Sequence, residues 1–155
     1  MLFRSRPLLP FSIYQNQTDK QVWEMPLISG RDPVFPYRMK DAGGPDKIAA
    51  SPFGNRITAQ LALKLIEEEK LGQDAFTDFL SISFSSTDIV GHSYGPSSME
   101  TEDTYFRLDR DIETMFNFLD TRVGKGKYLC FLSADHGVME VPGFLKSRQI
   151  GRAHV

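Results

Sequence analysis

Cysteine and histidine are both scarce in this chain of 155 residues, which has one cysteine and three histidines. Cys130 alone cannot close an internal disulfide, so no cysteine framework organises the fold and the redox compartment stays undetermined. Long apolar runs are missing as well. No stretch approaches the roughly 20 apolar residues that span a bilayer, which excludes a transmembrane helix in this sequence. Residues 1–14 carry two arginines, but Pro7, Pro10 and Ser12 interrupt their apolar run, so they read poorly as a signal peptide. An excess of charge is absent too. The 18 Lys and Arg against 20 Asp and Glu leave a formal net charge of -2, which gives no electrostatic reason to expect nucleic acid or an anionic membrane as main partner. The content of 41% hydrophobic and 25% charged residues is that of an ordinary soluble globular protein, and the length is that of one domain.

What is present changes character along the chain. Residues 1–57 show no sustained period and are punctuated by Pro7, Pro10, Pro26, Pro33, Pro36, Pro45 and Pro52. They read as a long irregular connection, which is uncommon within a compact domain. From about Thr58 a helical face emerges, with Ala59, Leu61, Ala62, Leu65 and Ile66. Glu67, Glu68 and Glu69 follow as a solvated face, and Gly72 offers a C-terminal cap. Phe79 to Ser85 alternates Leu80, Ile82 and Phe84 with small hydroxyl residues, as a strand does. Residues 98–121 form the clearest helix, with Tyr105, Leu108, Ile112, Met115 and Leu119 on one stripe. The pair Ser97 and Glu100 resembles a capping box. The spacing puts Glu102, Asp103, Asp109, Arg110 and Glu113 towards solvent. Tyr128 to Ser133 is a short apolar run suited to a buried strand, with Cys130 as a small core residue. Helix, strand, long helix and strand in this order predict an α/β fold with a mainly parallel sheet.

Both predicted strands end in the same chemistry. The first runs into Asp88 and His92, the second into Asp135 and His136. Ligands of open α/β sheets bind beyond the carboxyl ends of the strands. Carboxylate and imidazole together suit zinc. The spacing of four between Asp88 and His92 puts both on one side of a helical turn, while the adjacent Asp135 and His136 need a sharp bend. Gly91 and Gly137 offer backbone freedom beside them. Setting His154 aside, every histidine lies beside an aspartate at a strand end. An aspartate there also serves to cap a following helix, so either pair alone has a purely structural reading.

The combination is more specific than either motif. Thr87-Asp88-Ile-Val-Gly-His92 followed by Ala134-Asp135-His136-Gly137 resembles the metal-binding core of the alkaline phosphatase superfamily. Ser51-Pro-Phe-Gly-Asn55, Tyr94-Gly-Pro-Ser97, Glu102-Asp103 and Pro142-Gly-Phe-Leu145 are similar to bacterial alkaline phosphatases of the phosphodiesterase-related branch. The resemblance runs from about Leu9 to Arg148. It implies a partial α/β/α sandwich and a zinc-dependent phosphate-ester hydrolase with two ions. Asp88 and His92 would hold one zinc, Asp135 and His136 the other. It also implies a small phosphate-ester substrate and a periplasmic or other extracytoplasmic setting.

The resemblance places the nucleophilic hydroxyl, the phosphate-holding basic residues and one further Asp ligand ahead of the matched region, and a further His ligand after it. No catalytic residue is therefore assigned within this chain, and the piece on its own is expected to be inactive. Ser85, Ser86 and Thr87 do not sit at the position of the family nucleophile, and nothing places Arg38 or Lys40 at the cleft. Residues 58–149 read as the partial metal-binding core. The abrupt 150–155 reads as a non-native tail, so His154 is not counted as a ligand. A manganese-dependent phosphate mutase or a sulfatase of the same superfamily is the alternative, and a non-catalytic α/β module is the alternative from another class. Oligomeric state is left open.

Overall fold

The computed structural model describes residues 4–16, 18–43 and 46–150. Residues 151–155, with His154, lie outside the described residues, as do the side chains of Arg38 and Lys40. The element order is β1 (Arg4–Ser5), β2 (Tyr37–Arg38), α1 (Asp46–Ala49), α2 (Pro52–Glu68), α3 (Ser86–Tyr94), α4 (Met99–Leu119) and α5 (Pro142–Ser147), with short 3-10 turns at Phe11–Ile13 and Met39–Asp41. No helix among the described residues is long and apolar enough to cross a membrane.

The predicted parallel sheet is not formed within the described residues. Their single ladder is β1 against β2, antiparallel, with Arg4 opposite Arg38 and Ser5 opposite Tyr37. Both predicted strands run as chain without ladder partners. The physical reason is that a strand exists only against a neighbour some 4.8 Å away, and neither segment has one here. The alternation itself survives. Ile82 and Phe84 pack on a core of Ala59, Ala62 and Met115 between α2 and α4, while Ser81, Ser83 and Ser85 face out. The second run is more open: Leu129 is 88% exposed and Phe131 73%. Cys130 is exposed as well, not a core residue.

Helix α2 starts at Pro52, earlier than Thr58, because proline is well placed in a first turn whose N–H groups lack partners. Its buried side is Asn55, Ala59, Ala62 and Ile66, at helical spacing. Leu61 and Leu65 lie off that line and are exposed. The acidic end is solvated as its composition requires, with Glu67 and Glu68 paired to Lys64. The helix closes on Lys70 at φ 53°, with Leu71 N–H donating to Ile66 O at 3.1 Å, so the left-handed closing residue is Lys70 and not Gly72.

The N-terminal third has little regular structure but is packed. Leu27, Tyr37 and Ala42 share a core with Val90 and Tyr94 of α3. The segment's backbone is tied to the helices: Met25 N–H donates to Ser93 O at 2.8 Å, and Leu8 N–H donates to Asp103 at 2.6 Å. Asp103 is fully buried, against the solvent-facing placement its spacing suggests. It also accepts from Tyr14 Oη at 2.6 Å and from Arg107 Nε at 2.7 Å. Three donors replace the water that a buried carboxylate gives up. Burial, then Asp103, push the Tyr14 phenol up to about 12.

Behind α3 lies a set of buried acids. Glu100 accepts from Tyr37 Oη at 2.6 Å. Burial pushes Glu100 up to about 8, Glu24 up to about 7 and Asp19 up to about 6. The same burial raises the phenols of Tyr37 and Tyr94.

Candidate metal centre

Asp88 falls in the first turn of α3, where a carboxylate is favoured by the helix dipole, and His92 falls in its last turn. The four-residue step puts them on one side, with His92 Nε2 3.4 Å from Asp88 Oδ1. Helix α3 is held from two directions. Val90 and Tyr94 bury its inner face, and Asn55 Nδ2 of α2 donates to Thr87 Oγ1 at 2.8 Å. The outer face, with Asp88 and His92, is left to solvent.

The second pair comes to the same place from 44 residues away in sequence. His136 Nε2 lies 3.8 Å from Asp88 Oδ1 and 3.7 Å from Asp135 Oδ2. Its Nδ1 lies 3.1 Å from Gly137 O, a contact that fixes the ring and leaves Nε2 turned to the carboxylates. That backbone contact first, then Asp135 and Asp88, hold the His136 imidazole above its usual value. Asp135 Oδ1 accepts from the His136 backbone N–H at 3.1 Å, which makes the bend between the two residues. So His92 and His136 both stand within 4 Å of Asp88, and Asp135 joins them through His136. Among the described residues no three or more His, Cys, Asp or Glu side chains are arranged to hold a single ion. The donors stand instead as two pairs, each of one carboxylate and one imidazole, a donor set of the kind that borderline metals such as zinc accept.

Neither aspartate caps a helix. The N-cap of α3 is Ser85, three residues before Asp88. Asp135 is followed by no helix until Pro142. Gly91 and Gly137 do not use glycine's conformational freedom, since neither has a positive φ. Both line the cleft, with nothing within 4 Å of where a Cβ would stand.

Beside these pairs opens a cleft of about 340 Å³. His92 and Pro96 form one wall, His136, Val138, Met139 and Val141 the other. The nearby hydroxyls are engaged elsewhere. Ser83 and Ser85 bond each other at 3.0 Å, and Ser93 donates to Ile89 O. The expected capping box is displaced by one residue: Ser98 caps α4, accepting from Thr101 N–H at 3.1 Å. Ser97 is freed to donate to Glu140. Glu140 carried no signal in the sequence, because its partner is 43 residues away and neither residue belongs to a periodic element.

With this geometry in hand, comparison with known proteins is decisive. The family model described as type I phosphodiesterase / nucleotide pyrophosphatase matches residues 9–154. The chain belongs to that family. It is 46% identical over 147 residues to the alkaline phosphatase PhoV of Synechococcus elongatus, covering 93% of this chain and 27% of that protein. It is also 46% identical over 147 residues to the alkaline phosphatase PafA of Elizabethkingia meningoseptica, covering 92% of this chain and 27% of PafA. A crystal structure of wild-type PafA superposes with a TM-score of 0.87 at 44% identity, covering 94% of this chain and 29% of that one. A substituted PafA variant reaches 0.90 at 45% identity, with the same coverage. The helices and connecting segments described above thus follow an alkaline phosphatase, and the chain spans little more than a quarter of the relatives it matches.

Proposed function

We propose that this chain is the part of a longer phosphate-ester hydrolase that supplies two half-sites for zinc. Asp88 and His92 would hold one ion, and Asp135 and His136 the other. The observation that carries this reading is the position of Asp88 Oδ1, 3.4 Å from His92 Nε2 and 3.8 Å from His136 Nε2. Two motifs far apart in sequence meet there with their charges turned to one point. When bound, a pair of zinc ions supplies Lewis-acid stabilisation of the attacking and leaving oxygens in phosphoryl displacement.

The residues of this chain do the placing. Helix α3 fixes the Asp88 and His92 side chains at one helical step. The Gly137 contact holds His136 with Nε2 facing the carboxylates. The open cleft beside the imidazoles gives a phosphate ester room to approach. Ser83 and Ser85 bond each other, Ser93 bonds the backbone and Ser97 bonds Glu140, which supports an attacking hydroxyl from a part of the longer protein outside this chain. There the runs Phe79–Ser85 and Tyr128–Ser133 would be strands of a mainly parallel sheet, with the half-sites at their carboxyl ends. The relatives' names support phosphate-ester hydrolysis over mutase or sulfatase chemistry. The extracytoplasmic setting belongs to the same proposal.

The test is zinc content and aryl-phosphate turnover of the full-length protein, with Asp88→Asn and His136→Ala variants. The expected result is two zinc ions in the parent, and a turnover loss on the order of a thousandfold in each variant. Variants that keep both zinc and turnover would overturn the assignment.

A further inference from the structure

The two half-sites come from separate stretches of chain, so something must fix the distance between them. Four residues beyond His136, the carboxylate of Glu140 accepts a hydrogen bond from Ser97 Oγ, five residues beyond His92. Ser97 is itself anchored, since Asn16 Nδ2 donates to its carbonyl at 3.0 Å. It immediately precedes the N-cap of α4, where the helix dipole favours a carboxylate such as that of Glu140.

Two further contacts lie in the same seam. A Cβ on Gly95 would stand 3.4 Å from Val141 Cγ2, so the strand of chain after α3 and the one after Glu140 already touch. A Cβ on Gly143 would stand 2.7 Å from the Trp23 ring, and Phe144 meets that ring edge-on with centroids 6.2 Å apart. The wall bearing His92 and the wall bearing His136 are therefore closed at one rim of the cleft by a hydrogen bond and an apolar wedge. The other Glu140 oxygen, Oε2, is buried without a hydrogen-bond partner. Burying a carboxylate in this way is costly, and the return is a fixed end for the loop that carries Asp135 and His136.

We propose that Glu140 is a positioning residue, and that its bond to Ser97 sets the separation of the two metal half-sites. This rests on the zinc reading above. A ligand pair set wrongly by an ångström meets its ion at poorer geometry and no longer matches its neighbour. Loss of the clasp therefore weakens zinc retention and slows turnover more than it weakens substrate binding.

The experiment uses the full-length protein with four variants: Glu140→Ala, Ser97→Ala, Glu140→Gln and Asp88→Asn. Zinc transfer to a chromogenic chelator and the separate kcat and KM for an aryl phosphate are measured for each. Glutamine keeps an oxygen that accepts from Ser97, so Glu140→Gln should retain zinc and turnover. Glu140→Ala and Ser97→Ala should weaken zinc by about 10–100-fold, as loss of support behind metal ligands does, with kcat reduced and KM little changed. Ser97→Ala removes a single hydroxyl and keeps the test alive if Glu140→Ala fails to fold. Zinc lost in Asp88→Asn but retained in both alanine variants would overturn the clasp and leave the zinc reading standing. Zinc retained in Asp88→Asn would overturn the zinc reading itself. A glutamine variant as impaired as alanine would overturn the hydrogen bond as the cause.

Discussion

The N-terminal belt and the two apolar runs make opposite bargains with water. The belt, residues up to about 43, has almost no regular structure, yet Leu8, Tyr14 and Met25 bond to α3 or α4, and Tyr14, Leu27 and Tyr37 are buried. The runs 79–85 and 128–133 have the alternation or apolar content of strands, yet no ladder forms, and Phe79 is 82% exposed and Leu132 80%. Regularity and completeness are thus separate properties. A segment of turns is closed when each buried polar group meets a partner within the chain. An extended segment stays open until a neighbouring backbone arrives. The two Asp/His pairs lie on the border between the two regions, with α3 rooted in the closed one and His136 following the open one.

The sharpest way to break this contrast is at Asp103. Removing its carboxylate leaves Arg107, the Tyr14 hydroxyl and the Leu8 N–H without their shared acceptor. Breaking a buried pair from one side costs about 3–5 kcal/mol. Asp103→Ala is therefore expected to lower the urea midpoint by that equivalent and to release the belt to proteolysis ahead of the helices. An unchanged midpoint would mean that the belt is held by apolar contact alone.

A smaller effect comes from pH. Glu100, Glu24 and Asp19 are raised to about 8, 7 and 6 by burial, so the folded chain holds protons that the unfolded chain has already released. Tyr37 and Tyr94 face the same cluster and stay protonated throughout this range. For raised groups the stabilising contribution is complete below the unfolded values and declines as pH rises through the folded ones. The thermal midpoint should fall steadily between about pH 5 and about pH 9. Glu100→Gln should flatten the upper part of that slope. A midpoint that rises over this range would show that the cluster is ionised and paired.

The chemistry of this molecule was more legible in its sequence than the packing. Asp88, His92, Asp135 and His136 could be singled out because carboxylate and imidazole recur there at short spacing, and all four make contacts within four residues. The helices were visible from periodicity, but their buried sides were not. The partner of α4 at Asp103 is a belt nearly 100 residues earlier, which no period reveals. The same limit hid Glu140, whose partner Ser97 looked like a cap because serine serves both purposes. The alternation of the run 79–85 does match its packing, with Ile82 and Phe84 turned inward, although no strand forms there. A ladder, however, is a property of two segments, and sequence alternation reports on one.

The smallest effect in this chain is expected where the structure is most open, and it separates the two regions most clearly. Phe79 and Phe131 are 82% and 73% exposed, so replacing either by serine removes little buried surface. Within the chain alone, Phe79→Ser and Phe131→Ser should shift stability by less than about 0.5 kcal/mol. Their visible consequence should be on self-association, because exposed apolar edges with unpaired backbone recruit other chains. Light scattering at matched concentration should therefore fall in both variants. In the full-length protein the same substitutions fall within the proposed sheet, and each should cost about 3–5 kcal/mol, as loss of a buried phenylalanine does. A cost of that size in the chain alone would mean that the runs are already packed, and the open region would have to be redrawn.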